Sequence, residues 1–273
     1  MANHLFEVPG GRKIGISAAG DPLALRLVVL CHPTPGAGGF DPDPVVTGRW
    51  RVHLLSIDRP GYGASEPLTE VEESSYEARA DDIAAFINHS ERSAQSGSGI
   101  DFGRIGVVGW QSGGFTALAL AARHPKLVDR LAIIDTSSLA NPRRVESGAP
   151  FTLEDLGIAD DDPALKRLGL RNRLDRMLDE ASSQGDAGLS ADVDARKHGI
   201  NDAGLGHITA TTKLIYGDRA QSSSDADGHW FRDRIPDSTS VKVQNGGALS
   251  IVTQWERILE HVAPRDGDLD GER

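Results

Sequence analysis

The sequence has a single cysteine, Cys31, among its 273 residues, which excludes an internal disulfide bond. Cys31 ends the apolar run of residues 27–31, so we expect it to be a core residue rather than a reactive thiol. Basic residues are also scarce, since 29 lysines and arginines stand against 40 acidic residues and leave a net charge of −11. This balance argues against nucleic acid or an anionic membrane surface as a partner.

Long hydrophobic segments are missing as well. No apolar run approaches the roughly 20 residues that cross a bilayer, and residues 1–20 lack the hydrophobic stretch of a signal peptide, so we expect a cytoplasmic protein with no membrane partner. Neither G-x-G-x-x-G nor G-x-x-x-x-G-K-[ST] occurs. The histidines His198, His207 and His261 lack the spacing of metal ligands. We therefore expect neither a cofactor nor a metal.

The most informative stretch is Gly106-Val107-Val108-Gly109-Trp110-Gln111-Ser112-Gly113-Gly114. Its apolar run predicts a buried strand that stops at Gly109 and reverses into a helix beginning near Ser112. The glycines at 109, 113 and 114 permit close packing and a turn that is strained at its middle residue, Gln111.

This stretch resembles the nucleophile elbow of the alpha/beta-hydrolase superfamily, G-x-S-x-G, whose third residue is the nucleophile. Two loops extend the resemblance. The segment His32-Pro33-Thr34-Pro35-Gly36 is similar to the H-G-x-P-G loop that supplies part of an oxyanion hole, although Pro33 has no N–H and leaves Thr34 to donate. The octet Asp58-Arg59-Pro60-Gly61-Tyr62-Gly63-Ala64-Ser65 is similar to a loop of the proline iminopeptidase and epoxide hydrolase branch, where an Asp58–Arg59 pair is expected to anchor the loop.

The resemblance covers about residues 4–263 and implies an α/β fold: a doubly wound, mostly parallel eight-stranded sheet with a small helical cap. We predict a core of residues 1–137 and 209–264, a cap of residues 138–208 and a disordered tail of residues 265–273. Within the cap, residues 160–163 predict the start of a helix. That helix carries Leu165, Leu168, Leu174, Leu178 and Ala181 on one side. A closing helix is expected over residues 251–262.

The resemblance also implies that the catalytic triad is missing. Gln111 occupies the nucleophile position. Gly217-Asp218-Arg219-Ala220 is similar to a G-x-x-D pattern and places Ala220 at the acid, while Gly247-Ala248-Leu249-Ser250 is similar to G-H-L-S and places Ala248 at the base. Because a triad works as a unit, its loss costs on the order of 10⁶ in turnover. Serine-hydrolase activity is not expected.

Three residues are candidate substitutes for the missing groups. Ser112 is expected to be the first helical residue, its hydroxyl capping the turn. Asp135 lies near the end of a strand where some superfamily members carry their acid, and His32 is expected to brace the oxyanion loop. Asp218 is expected to be an exposed loop carboxylate. We expect substrate contacts from Thr34, Trp110, Gln111 and Ser112, and for Trp110 a packing role is equally open.

Three hypotheses remain for function. The first is a protein that is inactive as a hydrolase but keeps a pocket for a small organic molecule. The second is a lyase, cyclase or isomerase that acts on a small carbonyl compound, with Gln111 as a hydrogen-bond donor and His32 or Asp135 moving the proton. The third is a weak esterase that uses Ser112. The acidic composition of the cap disfavours anionic ligands. The sequence does not fix the oligomeric state.

Overall fold

The computed structural model describes residues 4–70, 72–138, 148–199 and 202–264. The predicted tail, residues 265–273, lies outside these ranges, as do residues 139–147 of the predicted cap. Within the described residues the strands form one sheet. Their bounds are β1 His4–Glu7, β2 Lys13–Gly20, β3 Leu27–Cys31, β4 His53–Ile57, β5 Ile105–Trp110, β6 Val128–Ile134, β7 Thr211–Gly217 and β8 Ser238–Val243.

The sheet has eight strands in the order β1-β2-β4-β3-β5-β6-β7-β8. The hairpin of β1 and β2 lies at one edge, and β2 pairs antiparallel with β4. All pairings from β4 through β3, β5, β6 and β7 to β8 are parallel. Every residue of β3 and β5 is buried, because helices cover both faces of these central strands. The predicted α/β fold class is confirmed.

Helices lie on both sides of the sheet. Their bounds are α1 Pro44–Trp50, α2 Tyr76–Gln95, α3 Gly113–Arg123, α4 Leu170–Ser182, α5 Ala187–His198, α6 Asp202–Leu205, α7 Asp225–Arg232, α8 Ser250–Thr253 and α9 Trp255–Val262. One apolar cluster joins α2, α3 and α7 to the sheet, and a second joins α1, α4 and α9 to it. The sheet is therefore doubly wound. No helix within the described ranges is long and apolar enough to cross a membrane.

Of the described residues between β6 and β7, those at 148–199 and 202–208 contain helices and 3₁₀ turns but no strand. We call this segment the helical insertion. The helix predicted to start at residues 160–163 is wrong in its first half. Residues Pro163–Lys166 form a 3₁₀ turn, Gly169 adopts a φ of 69° as the N-cap of α4, and Leu168 is 98% exposed. The left-handed glycine separates the two elements because it breaks helical geometry.

Two other helices differ from expectation. The closing helix divides into α8 and α9 at Gln254, whose φ of −105° and ψ of 8° interrupt the α-helical path. Helix α1 was not predicted, although it has a local start signal: the Asp43 carboxylate accepts hydrogen bonds from the N–H groups of Val45 and Val46, and Pro44 occupies the first turn. Both features favour helix initiation.

Candidate functional site

The turn between β5 and α3 has the strand–turn–helix geometry expected from its glycines. Gln111 follows β5 directly and adopts a φ of 49°, a left-handed conformation that residues other than glycine rarely adopt. A Cβ atom at Gly113 would lie 2.2 Å from the carbonyl oxygen of Cys31. Only glycine therefore lets the start of α3 approach the end of β3 so closely.

The side chain of Gln111 connects this turn to the helical insertion. Its Nε2 donates a hydrogen bond of 2.9 Å to the carbonyl oxygen of Leu156, which ends the 3₁₀ turn Glu154–Leu156. Its backbone N–H donates to Ile134, and its carbonyl oxygen accepts from the Thr136 hydroxyl at 2.7 Å. Gln111 is only 5% exposed, and hydrogen bonds restrain both its backbone and its side-chain amide.

Asp135 follows β6 as Gln111 follows β5. The preceding residues, Trp110 and Ile134, are paired in the sheet. Asp135 also has a left-handed φ, of 51°, and is 1% exposed. Its Oδ1 accepts a hydrogen bond of 2.8 Å from the N–H of Gly217, whereas its Oδ2 has no hydrogen-bond partner among the described residues. Burial raises the pKa of this carboxyl group to about 7.

Trp110 is enclosed between the sheet and the loop that carries Ala248. Its ring stacks on Phe40 with 5.4 Å between centroids, and its indole N–H donates to the carbonyl oxygen of Ala248 at 3.1 Å. The side chain is completely buried, so these contacts support the packing role for Trp110. They also bring Ala248 next to the residue that precedes Gln111.

The loop after β7 contains Ala220 and Asp218. Ala220 donates from its backbone N–H to the carbonyl oxygen of Gly217 at 3.3 Å, forming a tight turn. Asp218 is exposed, in agreement with its expected place in a loop. This turn therefore links Ala220 to Gly217, whose own N–H donates to Asp135.

Ser112 does not cap α3 with its hydroxyl, contrary to the sequence prediction. It occupies the N-cap position but makes no side-chain capping bond. Its Oγ instead donates to the Oγ1 of Thr34 at 2.8 Å, and the Thr34 hydroxyl donates in turn to the carboxylate of Asp192 on α5. The reason is the proximity of the Thr34 loop, which offers a side-chain acceptor to a hydroxyl at the start of α3.

Asp192 is the centre of a buried ionic network. Its Oδ2 accepts hydrogen bonds from Arg59 Nη2 at 2.7 Å and from the Tyr62 hydroxyl at 3.0 Å, and its Oδ1 lies 2.7 Å from Arg79 Nη1. All three charged side chains are at most 6% exposed. Although burial opposes ionisation, the guanidinium groups of Arg59 and Arg79 hold the pKa of Asp192 well below its usual range.

Asp58 and Arg59, the two residues expected to anchor this loop, do not bind each other. Arg59 binds Asp192, while Asp58 accepts hydrogen bonds from the N–H groups of Gly38 and Ala64. Both side chains still hold loops in place, as expected from the motif. They do so separately, through different partners.

His32 lies inside this network and braces the loop that follows β3. Its Nε2 accepts the N–H of Arg59 at 3.2 Å, and its Nδ1 lies 3.0 Å from the carbonyl oxygen of Pro33. Burial, and then the positive charge of Arg59, lower the pKa of His32 well below its ordinary value. The ring is therefore neutral at physiological pH and fixed at both nitrogens.

A cavity of about 730 Å³ lies between the helical insertion and the loop after β7. Phe151, Leu153, Ile158 and Leu178 supply its apolar lining, and Gln221 of the loop after β7 also lines it. The remaining lining includes several carboxylates and one arginine. These are Glu154, Asp160, Asp175, Asp179 and Arg171. Its volume falls within the range of about 300–1,000 Å³ that is usual for small-molecule sites.

A model of the alpha/beta hydrolase family matches residues 28–261. The chain belongs to this family. Among curated proteins, the pimeloyl-[acyl-carrier protein] methyl ester esterase of Chromobacterium violaceum is 31% identical over 215 residues, which cover 70% of this chain and 73% of that protein.

Solved structures are similar in fold to most of this chain. A hydrolase from Pseudomonas aeruginosa PA01 has a TM-score of 0.71 at 18% identity and covers 94% of this chain and 97% of its own. The enol-lactonase of Burkholderia xenovorans LB400 has a TM-score of 0.67 at 16% identity, with coverage of 94% and 97%. At these identities the likeness establishes the fold.

The sequence of this alpha/beta hydrolase family member did not reveal Asp192, Arg79 or the Gln111 bond to Leu156. Arg59 was singled out through its motif. Asp192 had no signal, because it lies 133 residues further along the chain in the insertion. Within the described residues, no group of three or more histidine, cysteine, aspartate or glutamate side chains is arranged to hold a metal ion.

Proposed function

We propose that this family member does not carry out serine hydrolysis and binds a small organic molecule between the helical insertion and the loop after β7. The observation that carries the proposal is Gln111 at the β5–α3 turn, where its amide is bonded to Leu156. An amide is not a nucleophile, and here its donor group is already engaged by the insertion. In this proposal Gln111, Ala220 and Ala248 stand at the nucleophile, acid and base positions.

The network around Ser112 argues against the weak-esterase alternative. A serine attacks efficiently only when a base accepts its proton. The Ser112 proton is directed at Thr34, whose own proton is directed at Asp192. Since two guanidinium groups depress the pKa of that carboxylate, Asp192 is a poor proton acceptor. Ser112 therefore has no base to activate it in this arrangement.

A non-hydrolytic enzyme is the second candidate. It requires a side chain that moves a proton, and of the two alternatives, His32 and Asp135, the contacts favour Asp135. His32 is neutral and engaged at both ring nitrogens. Asp135 has a pKa of about 7 and one carboxylate oxygen without a partner. Such a pKa suits proton transfer near neutral pH. Loss of a measured conversion in both Gln111→Ala and Asp135→Asn, with ligand binding kept, would favour this candidate over simple binding.

The cavity of about 730 Å³ is the proposed ligand site. The names of two similar proteins specify a methyl ester and an enol-lactone, so the first probes are uncharged methyl esters and lactones, with simple amides beside them. Carboxylates at the cavity disfavour anionic compounds.

A thermal-shift screen with these probes tests the proposal, because a ligand that binds only the folded state stabilises it by RT ln(1 + [L]/Kd). We expect at least one probe to raise the melting temperature without being hydrolysed. The variant Ala159→Trp, which places a large ring at the cavity, should abolish the shift. Leu168→Trp, at a fully exposed position that does not line the cavity, should retain it. Hydrolysis of a probe by the unmodified protein at an ordinary enzymatic rate would overturn the proposal.

A further inference from the structure

A second, much smaller cavity is lined by the ends of β3 and β4, the loops that follow them, and helices α2 and α3. Its volume is about 20 Å³, and roughly 10–15 Å³ is enough to hold one water molecule. Much of the lining is apolar and includes Val29, Leu30, Ile57 and Ile83. Two polar side chains also line it, Arg79 of α2 and Thr116 of α3.

One N–H group of Arg79 is buried without a hydrogen-bond partner among the described residues, that of Nε. The other two nitrogens are engaged, since Nη1 lies 2.7 Å from Asp192 Oδ1 and Nη2 donates to the carbonyl oxygen of Ala191 at 3.0 Å. The guanidinium also lies over the ring of Tyr76, 5.5 Å from the ring centroid. That cation–π contact is an attraction between the ring and the whole charged group, so it does not satisfy the Nε–H in particular.

The hydroxyl of Thr116 is in the same position. Its Oγ1 is buried and has no hydrogen-bond partner within the described part of the chain. A threonine in a helix can bond to the carbonyl oxygen four residues earlier, which here is that of Ser112, but this hydroxyl does not. Two helices therefore each present an unpaired polar group to one cavity. Buried polar groups nearly always have a partner in folded proteins, and that partner is often an ordered water.

The charges around the cavity favour a neutral molecule. Arg59 and Arg79 line it and disfavour a cation, and the carboxylate residues Asp58 and Asp82 line it as well and disfavour an anion. The molecule must also accept a hydrogen bond, because an arginine N–H can only donate, whereas the Thr116 hydroxyl can donate or accept. Water meets both requirements, since it is neutral and can accept one hydrogen bond while it donates another.

We propose that one internal water molecule binds in this cavity, accepts a hydrogen bond from Arg79 Nε and bonds to the hydroxyl of Thr116. Thr116 follows Ser112 by four residues, so the two side chains lie on the same side of α3. Ser112 already reaches Asp192 through Thr34. The water adds a second connection, through Arg79, between the start of α3 and helix α5 of the helical insertion. This site is independent of the function proposed above.

Crystals of the full chain grown in sodium bromide test the site, because bromide gives an anomalous X-ray signal and water does not. We expect a density peak without anomalous signal within about 3.2 Å of both Arg79 Nε and Thr116 Oγ1. An anomalous peak at this position would show that the site takes an anion, and it would overturn the proposal. The absence of any peak, or a peak that contacts only one of the two atoms, would overturn it too.

Two substitutions at Thr116 separate the hydroxyl from the shape of the side chain. Thr116→Val keeps the shape and removes the hydroxyl, so the peak should be lost from its crystals, whereas Thr116→Ser keeps the hydroxyl and should keep the peak. A peak that persists at full height in Thr116→Val would show that the hydroxyl does not hold the water. The bromide crystals of the unmodified protein decide the site even where a variant does not fold.

Hydrogen–deuterium exchange tests the connection to the insertion. Because the water links α3 to α5 through Arg79, amides of residues 187–198 should exchange faster in Thr116→Val than in Thr116→Ser. The comparison is conservative, since the serine variant is the one that also loses a buried methyl group. Equal exchange in the two folded variants would overturn the connection.

Discussion

Gln111 Nε2 and the carbonyl oxygen of Leu156 are 2.9 Å apart, so the residue at the strand–helix turn holds the helical insertion against the sheet. The contact unites two features that are separate in the sequence, a strained turn after β5 and a 3₁₀ turn 45 residues later. It also helps to explain how the strained conformation of Gln111 persists. The surrounding bonds fix it from both sides.

Removing the Gln111 amide should loosen the insertion. In Gln111→Ala the buried carbonyl oxygen of Leu156 loses its donor, which costs about 1–3 kcal/mol of unfolding free energy. Hydrogen–deuterium exchange across residues 153–158 should become faster. Gln221→Ala, the same type of change at an exposed glutamine, serves as the control and should leave both quantities nearly unchanged. Identical exchange in the two variants would show that the bond does not restrain the insertion.

Asp192 should contribute far more to stability than an ordinary surface aspartate. Asp192→Ala leaves Arg59 and Arg79 buried without their shared carboxylate, and breaking a buried pair in this way costs about 3–5 kcal/mol. Urea denaturation measures the loss. The matched control is Asp194→Ala on the same helix, which removes an exposed contact with Lys197 and should have little effect. Comparable midpoints for the two variants would contradict the assigned role.

The central fold was predictable because its signal is local. Buried parallel strands such as β3 and β5 are continuous apolar runs, and glycines mark the turn at Gln111. The helix assigned from residues 160–163 failed for an equally physical reason. Apolar spacing continued through Leu168, but Gly169 takes a left-handed conformation and separates two elements, a break that the spacing does not encode.

The candidate site was predictable only where one motif contains both the residue and its neighbours. The turn at Gln111 and the loop at His32 belong to that class. Leu156 and Asp192 do not, because they reach Gln111 and Arg59 only after the insertion folds over the sheet. Ser112 shows the same limit. The local sequence pattern predicts that its hydroxyl caps a helix, but the hydroxyl bonds to Thr34, 78 residues away.

Ser112 should resist covalent labelling by a fluorophosphonate. Its hydroxyl is bonded to Thr34, and the only carboxylate in that chain of bonds is held by two arginines. We expect no adduct on the peptide that contains Ser112 by mass spectrometry. The folded variant with Gln111→Ser, Ala220→Asp and Ala248→His, which refills the three proposed triad positions, is labelled in parallel as the positive control. An adduct on Ser112 in the unmodified protein would revive the weak-esterase alternative.

The ionisation of Asp135 should make stability fall as the pH rises. Its pKa is raised from 3.8 to about 7 on folding, so the folded state retains a proton that the unfolded chain releases. Stability from this group is therefore greatest below the unfolded pKa, decreases between about pH 4 and pH 7, and is constant above that window.

Asp135→Asn removes this titration and keeps an acceptor for the Gly217 N–H. Relative to the unmodified protein, the variant should gain about 3 kcal/mol of unfolding free energy between pH 5 and pH 8, since the difference spans about two pKa units at roughly 1.4 kcal/mol each. Urea denaturation at the two pH values measures the difference. Asp218→Asn replaces an exposed carboxylate and should shift stability equally at both. A variant of Asp135 whose advantage does not grow with pH would mean that the carboxyl group is already ionised at pH 5, and that a donor reaches its second oxygen in solution.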